Sequence, residues 1–181
     1  TYDIENPLLW WPNGYGAHPI YTLRITAGEN VYEQNFGIRT LRVAEIPDKK
    51  GEKYDLICKK LKAIQKEVIN KNDWDFTEET AGFIVIVNGV RIYCRGGNWV
   101  PCEPFPSQES EDKIREIVAL SEEANMNMIR VWGGGIFEKD AFYDECDKRG
   151  ILVTQDFLMA CGTYPQNEEW FLNELKKELR K

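Results

Sequence analysis

The chain has 181 residues, enough for one good-sized domain or two small ones, and its 43% hydrophobic and 29% charged content is that of a globular protein. A net charge of −7 argues against nucleic acid or an anionic membrane as the main partner, because phosphate binding needs a cationic face. A single histidine, His18, and five scattered cysteines with no CxxC pair disfavour histidine catalysis, a metal site and a disulfide framework.

The chain opens as β structure. Tyr21, Leu23 and Ile25 alternate with Thr22, Arg24 and Thr26, the period of a half-buried strand, and Leu41 and Val43 alternate with Thr40 and Arg42. Ala27-Gly28-Glu29-Asn30 has hairpin-loop chemistry, and Asn13-Gly14-Tyr15-Gly16 is a turn. So few strands cannot close a sandwich, so residues 1–46 read as the end of one whose other strands lie upstream. Residues 47–82 read as a linker. Within it Ile57, Leu61, Ile64 and Val68 fall at helical spacing and predict a helix over 56–70 packed by Leu61, Ile64 and Val68.

From residue 83 the pattern changes. Asn88-Gly89 between two apolar runs predicts a hairpin over 83–94. A helix is expected over 107–124, a strand over 126–132, and a helix over 138–149 that Gly150 closes with a left-handed cap. A strand over 151–157 and a last helix capped by Asn167, with Phe171, Leu175 and Leu179 on one face, complete the chain. Strand and helix alternating in this way imply parallel strands with right-handed crossovers. Both the open doubly wound sheet and the eight-fold barrel use that order, and 83–181 would hold only the first three units of a barrel.

The cysteines (Cys58, Cys94, Cys102, Cys146 and Cys161) read as free, buried or half-buried thiols. The acidic residues Glu109, Glu111, Asp112, Glu122 and Glu123 read as a solvated helix face. No apolar run reaches the roughly 18 residues of a membrane span. The first residues carry no leader and no initiating Met, so the start reads as internal to a longer protein, and no cellular compartment follows from it.

Chemistry in α/β enzymes gathers where parallel strands end in loops. Three such ends stand out: 95–101, with Asn98 and Trp99; 130–135, with Arg130, Trp132 and three glycines; and 154–165, with Asp156. Each sets polar groups beside an aromatic, the pairing that binds sugars, where a ring covers the C–H face and Asn, Arg or Asp takes hydroxyls. The same residues admit plainer roles. Trp99 and Trp132 could plug a core, and Arg130, buried in an apolar strand, could simply pair with Asp156. Gly133-Gly134-Gly135 has neither GxGxxG spacing nor a GK[ST] ending, which disfavours a nucleotide site.

Longer motifs run through the chain. Residues 6–16 (Asn6-Pro7-Leu8-Leu9-Trp10-Trp11-Pro12-Asn13-Gly14-Tyr15-Gly16), with Phe36-Gly37-Ile38-Arg39, resemble the end of the immunoglobulin-like domain that precedes the barrel in glycoside hydrolase family 2. Gly96-Gly97-Asn98-Trp99-Val100-Pro101, the run 124–135 ending in Arg130-Val131-Trp132-Gly133-Gly134-Gly135, Phe142-Tyr143-Asp144-Glu145-Cys146-Asp147 and Gln155-Asp156-Phe157 are similar to its β-mannosidase branch. The resemblance implies the C-terminal strands of an immunoglobulin-like β-sandwich followed by a partial (β/α)8 TIM barrel. It implies a parent enzyme that hydrolyses terminal non-reducing β-D-mannose with retention, using two glutamates about 5 Å apart and no metal or organic cofactor. The acid/base would lie at the end of the fourth barrel strand and the nucleophile on the seventh, so this stretch alone would be inactive. Arg130, Trp132 and Asp156 would line or brace the sugar site, with Asn98 and Trp99 beside them, and the partner would be a carbohydrate. Another family 2 exo-glycosidase, such as an exo-glucosaminidase or β-galactosidase, or a non-catalytic carbohydrate-binding module, stands as the alternative.

Overall fold

The computed structural model describes residues 3–47, 51, 56, 59–60 and 81–179. Leu56, Lys59 and Lys60 are helical; the rest of the helix expected over 56–70, including Leu61, Ile64 and Val68, lies outside the described residues. The chain divides into two compact units, Thr1–Arg39 with Cys94–Lys181, and Thr40–Tyr93.

In the first unit, strands β1 (Tyr21–Ala27) and β2 (Asn30–Phe36) pair antiparallel across the expected loop, with Ala27 opposite Asn30. The aromatic pair at the open end, Tyr21 and Phe36, stacks at 5.9 Å.

The second unit is a three-stranded antiparallel sheet of β3 (Leu41–Pro47), β4 (Ala81–Val87) and β5 (Val90–Ile92), in that order. The Asn88-Gly89 turn forms as expected, both residues at positive φ (49° and 81°), which suits the tight two-residue connection. The hairpin's first strand also pairs with β3, Val43 facing Val85. The units therefore part at 39/40 and 93/94, whereas the expected division fell at 46/47 and 82/83: two alternating runs distant in sequence complete each other's ladders.

The remaining elements of the first unit alternate strand and helix. Strands β6 (Gly96–Trp99), β7 (Met128–Val131) and β8 (Leu152–Gln155) are parallel and neighbour one another in chain order. Helix α1 (Glu111–Glu123) links β6 to β7, α2 (Asp140–Lys148) links β7 to β8, and α3 (Glu169–Glu178) follows β8. The first parallel strand is thus the Gly-Gly-Asn-Trp run itself, within the stretch 95–101 expected to be the loop that follows it. A pair of glycines reads as a turn, but here it allows close approach: a Cβ on Gly96 would lie 1.5 Å from the Met128 carbonyl oxygen.

Helix α1 starts at Glu111, later than expected, because Ser110 caps it by accepting the Lys113 N–H at 3.2 Å after a 3₁₀ turn over Pro106–Gln108. Helix α2 ends ahead of Gly150 (φ 69°), as expected. Asn167 does not cap α3: Glu168 holds that place, without a side-chain bond, and no α3 residue is fully buried.

Helices α1 and α2 close over one face of the parallel sheet. Ile114 and Val118 from α1 and Phe142 and Cys146 from α2 meet Trp99, Ile129, Val131 and Ile151 in a single apolar cluster. The turn-rich N-terminal stretch is bound to the same unit. Trp10 is fully buried and its indole donates to the Asp147 carbonyl at 2.7 Å, with the Arg39 guanidinium 4.4 Å over the ring. The Asn13 amide donates to the carbonyls of Glu122 and Met126 at 3.1 and 3.0 Å, at the end of α1. His18 is structural: its Nδ1 donates to the Trp11 carbonyl at 2.6 Å.

Candidate functional site

Strand alternation decides which side chains of β6–β8 share a face. Asn98, Arg130 and Thr154 are in register across the three strands, as are Trp99, Val131 and Gln155 one residue later. The first set lies on the face opposite the helices. The Arg130 guanidinium is held there as a fork: Nε donates to Asp156 Oδ1 at 3.1 Å and Nη2 to Asp156 Oδ2 at 2.5 Å. Its remaining nitrogen, Nη1, donates to Asn98 Oδ1 at 3.1 Å. Two parallel charge-assisted bonds fix both groups in one plane.

Arg130 is not the buried residue its apolar strand suggests, since 46% of its side chain is exposed. Two of four β7 positions are buried, and they alternate with it on the helix side of the sheet. The expected pairing with Asp156 is present, and the pair faces outward.

Asp156 is oriented from behind. Its N–H donates to the Val131 carbonyl at 3.1 Å, and Oδ2 accepts the Gly133 N–H at 3.2 Å. Its neighbour Gln155 takes the Tyr143 hydroxyl at 2.7 Å and donates to the Asp156 carbonyl at 2.8 Å. Sequence reasoning passed over Gly133, Tyr143 and Gln155 as positioners; only the fold brings Tyr143, on α2, beneath the end of β8.

Trp132 is half-buried on the loop after β7. A Cβ on Gly134 would lie 2.2 Å from two carbons of the indole, so the ring rests on bare backbone that no other residue could supply. The Trp132 backbone N–H donates to the Trp99 carbonyl at 3.1 Å, which ties the loop to the end of β6.

Trp99 itself is not brought to that face. Its side chain points under the sheet, 6% exposed, with its ring 4.7 Å from Phe142 and its indole N–H donating to Glu138 Oε1 at 2.8 Å. Residue-by-residue alternation puts it opposite Asn98, so one of the two had to face the core. Glu109 departs from expectation in the same direction: it is 3% exposed, far from a solvated face, and Oε1 accepts both the Cys102 N–H at 3.0 Å and the Cys102 thiol at 2.9 Å. Glu122 is engaged with Arg149 at 2.7 Å.

Among the described residues no three His, Cys, Asp or Glu side chains gather as metal ligands, and no helix is long and apolar enough to cross a membrane. Among the described residues Cys94, Cys102, Cys146 and Cys161 form no disulfide, and Cys161 is exposed.

No protein-family model matches the chain. A protein named β-mannosidase B from Emericella nidulans is 35% identical over 98% of this chain and 18% of its own length. The crystal structure of a β-D-mannosidase from Dictyoglomus thermophilum superposes with a TM-score of 0.73 at 34% identity, over 97% of this chain and 19% of that one. The chain is a homologue of the β-mannosidases. The resemblance carried by the sequence motifs is borne out, and the chain spans 18% and 19% of the lengths of these two β-mannosidase relatives. An exo-chitosanase from Amycolatopsis orientalis, at 20% identity and a TM-score of 0.60 over 87% of this chain and 15% of that one, shares the fold.

Proposed function

We propose that the chain is a segment of a retaining exo-glycosidase that removes terminal non-reducing β-D-mannose, and that it forms part of the sugar-binding floor. The chain would carry the end of an immunoglobulin-like sandwich, with β3, β4 and β5 among its strands, and would begin a (β/α)8 barrel at β6. The unreversed order β6-β7-β8 supports the barrel, since a doubly wound sheet reverses its strand order at a switch point. The homology to β-mannosidases supports the substrate.

The observation that carries the site is the Asn98–Arg130–Asp156 fork on the exposed face, with Trp132 on the adjoining loop. It offers fixed donors and acceptors for hydroxyls and a ring for the C–H surface of a pyranose. Trp99 would serve from beneath, through its carbonyl bond to Trp132. Retaining cleavage needs two carboxyl groups facing each other across the scissile bond. Asp156 is the carboxylate of this cluster and is committed to Arg130, so the acid/base and nucleophile would come from other parts of the parent enzyme, and these 181 residues alone would not turn over a mannoside.

The test is a substrate panel on the full-length protein with aryl β-mannoside, β-glucosaminide, β-galactoside and β-glucuronide, with the product anomer read by NMR. Highest kcat/KM on the mannoside, with β-mannose released first, is expected. A preferred glucosaminide or galactoside would refute the mannose assignment and favour another exo-glycosidase, and binding without cleavage of any would favour a carbohydrate-binding module.

A further inference from the structure

Beneath the parallel sheet lies a second acidic group that the sugar site does not use. Glu138, just before α2, and Glu109, just before α1, are 6% and 3% exposed. Their Oε1 atoms are satisfied, one by the Trp99 indole and the other by Cys102. Their Oε2 atoms are both buried without any ordinary donor. The two segments meet here: Lys139, next to Glu138 in the chain, bonds the Glu109 backbone carbonyl, and Glu109 is among the groups that raise the Glu138 carboxyl. Two bare carboxylates so placed would leave two negative charges in an apolar setting with nothing between them, a costly arrangement.

The neighbouring cations do not relieve this. Lys139 Nζ bonds the Glu109 backbone carbonyl, while Lys113 Nζ bonds the Cys102 carbonyl at 3.1 Å and the Glu103 carboxylate. Neither reaches either Oε2. The other titratable groups against the pair are Cys102 and Tyr143, whose protons are engaged by Glu109 and Gln155.

We propose that Glu109 and Glu138 share one proton between their Oε2 atoms, and that this bridge anchors Trp99 below the sheet. One proton between the two Oε2 atoms completes the hydrogen-bond balance: one glutamate accepts at both oxygens as the carboxylate, and the other accepts at Oε1 and donates from Oε2 as the neutral acid. Burial, with Glu109 adding its charge, pushes the Glu138 carboxyl up against the opposing pull of the indole bond. The bridge joins the segments leading into α1 and α2 to the end of β6, whose Trp99 carbonyl holds the Trp132 N–H. That last consequence for Trp132 rests on the proposed sugar site; the shared proton does not.

The sign of the pH effect follows. A carboxyl held above its ordinary value of 4.5 favours the fold fully below about pH 4.5, and that contribution is lost as pH rises through the folded value. Glu138→Gln keeps an acceptor for the indole and a donor for Glu109 but cannot ionise. In the full-length protein the infrared spectrum at neutral pH should contain a protonated-carboxyl C=O band that shifts in D2O and is missing from Glu138→Gln. Thermal unfolding of the wild type should fall relative to Glu138→Gln as pH is raised from 5 to 8, while Glu138→Ala should unfold below both. A variant spectrum that keeps the band would overturn the proposal. So would a Glu138→Gln protein less stable than wild type at pH 8, which would mean a carboxylate is needed there, or a wild type destabilised by a chelator, which would mean a bridging cation.

Discussion

Arg130 and Asp156 meet through two nearly parallel bonds, 3.1 Å and 2.5 Å, at the exposed ends of neighbouring parallel strands. The guanidinium is 46% and the carboxylate 24% exposed, so water screens their attraction and the pair adds little to stability, about 0–1 kcal/mol. What it supplies is geometry: a carboxylate edge held by Arg130 on one side and Gly133 N–H on the other.

Asp156→Asn tests this. The amide keeps the size but loses the charge-assisted fork. If the fork shapes the sugar site, kcat/KM of the full-length protein on an aryl β-mannoside should fall about 10- to 100-fold, the equivalent of one hydrogen bond to a charged group. The melting temperature should change little. Unaltered kinetics alongside a clear loss of stability would mean the pair is merely structural.

Trp132 separates substrate contact from core packing. The ring is half-buried and supported on Gly134. Trp132→Ala should lower turnover with the fold retained, whereas a core plug would cost about 3–5 kcal/mol and activity would track the folded fraction. Gly134→Ala should reproduce the kinetic loss by displacing the ring. Both are read by steady-state kinetics and thermal unfolding on the same preparations.

Much of this arrangement was legible in the sequence and some was not. The Asn-Gly hairpin, the Gly150 stop and the parallel alternation follow from local chemistry that acts over a few residues. The Arg130–Asp156 contact follows from two strand ends predicted to be neighbours. Facing was harder to read. Gly96 and Gly97 resemble a turn, and only the close passage of Met128 makes them a strand; once that strand begins at Gly96, alternation sends Trp99 inward and Asn98 outward. Glu109 stands in an acidic run that looks solvated, and nothing in its own neighbourhood signals that Cys102 and Glu138 will enclose it. The pairing of β3 with β4 bridges an interval longer than any periodicity window.

The Cys102 thiol offers a chemical check on that enclosure. Burial, with Glu109 accepting its proton and adding negative charge, pushes it up to about 11. At pH 8 the thiolate is scarce, so iodoacetamide should modify the exposed Cys161 well ahead of Cys102, as mass spectrometry of the folded protein would report. Because the folded value lies above the ordinary 9, the thiol's contribution to stability is complete below about pH 9 and is lost as pH climbs towards 11. Equal labelling of the two cysteines would contradict the enclosed position of Cys102.

The most direct test of the central claim, that this segment forms the floor of a mannose site, is a crystal structure of the full-length protein with a mannose-configured inhibitor bound. The expected result has sugar hydroxyls within hydrogen-bond distance of at least one of Asn98, Arg130 and Asp156, and the Trp132 ring within about 4 Å of the pyranose. An inhibitor bound with none of these four side chains in contact would contradict it.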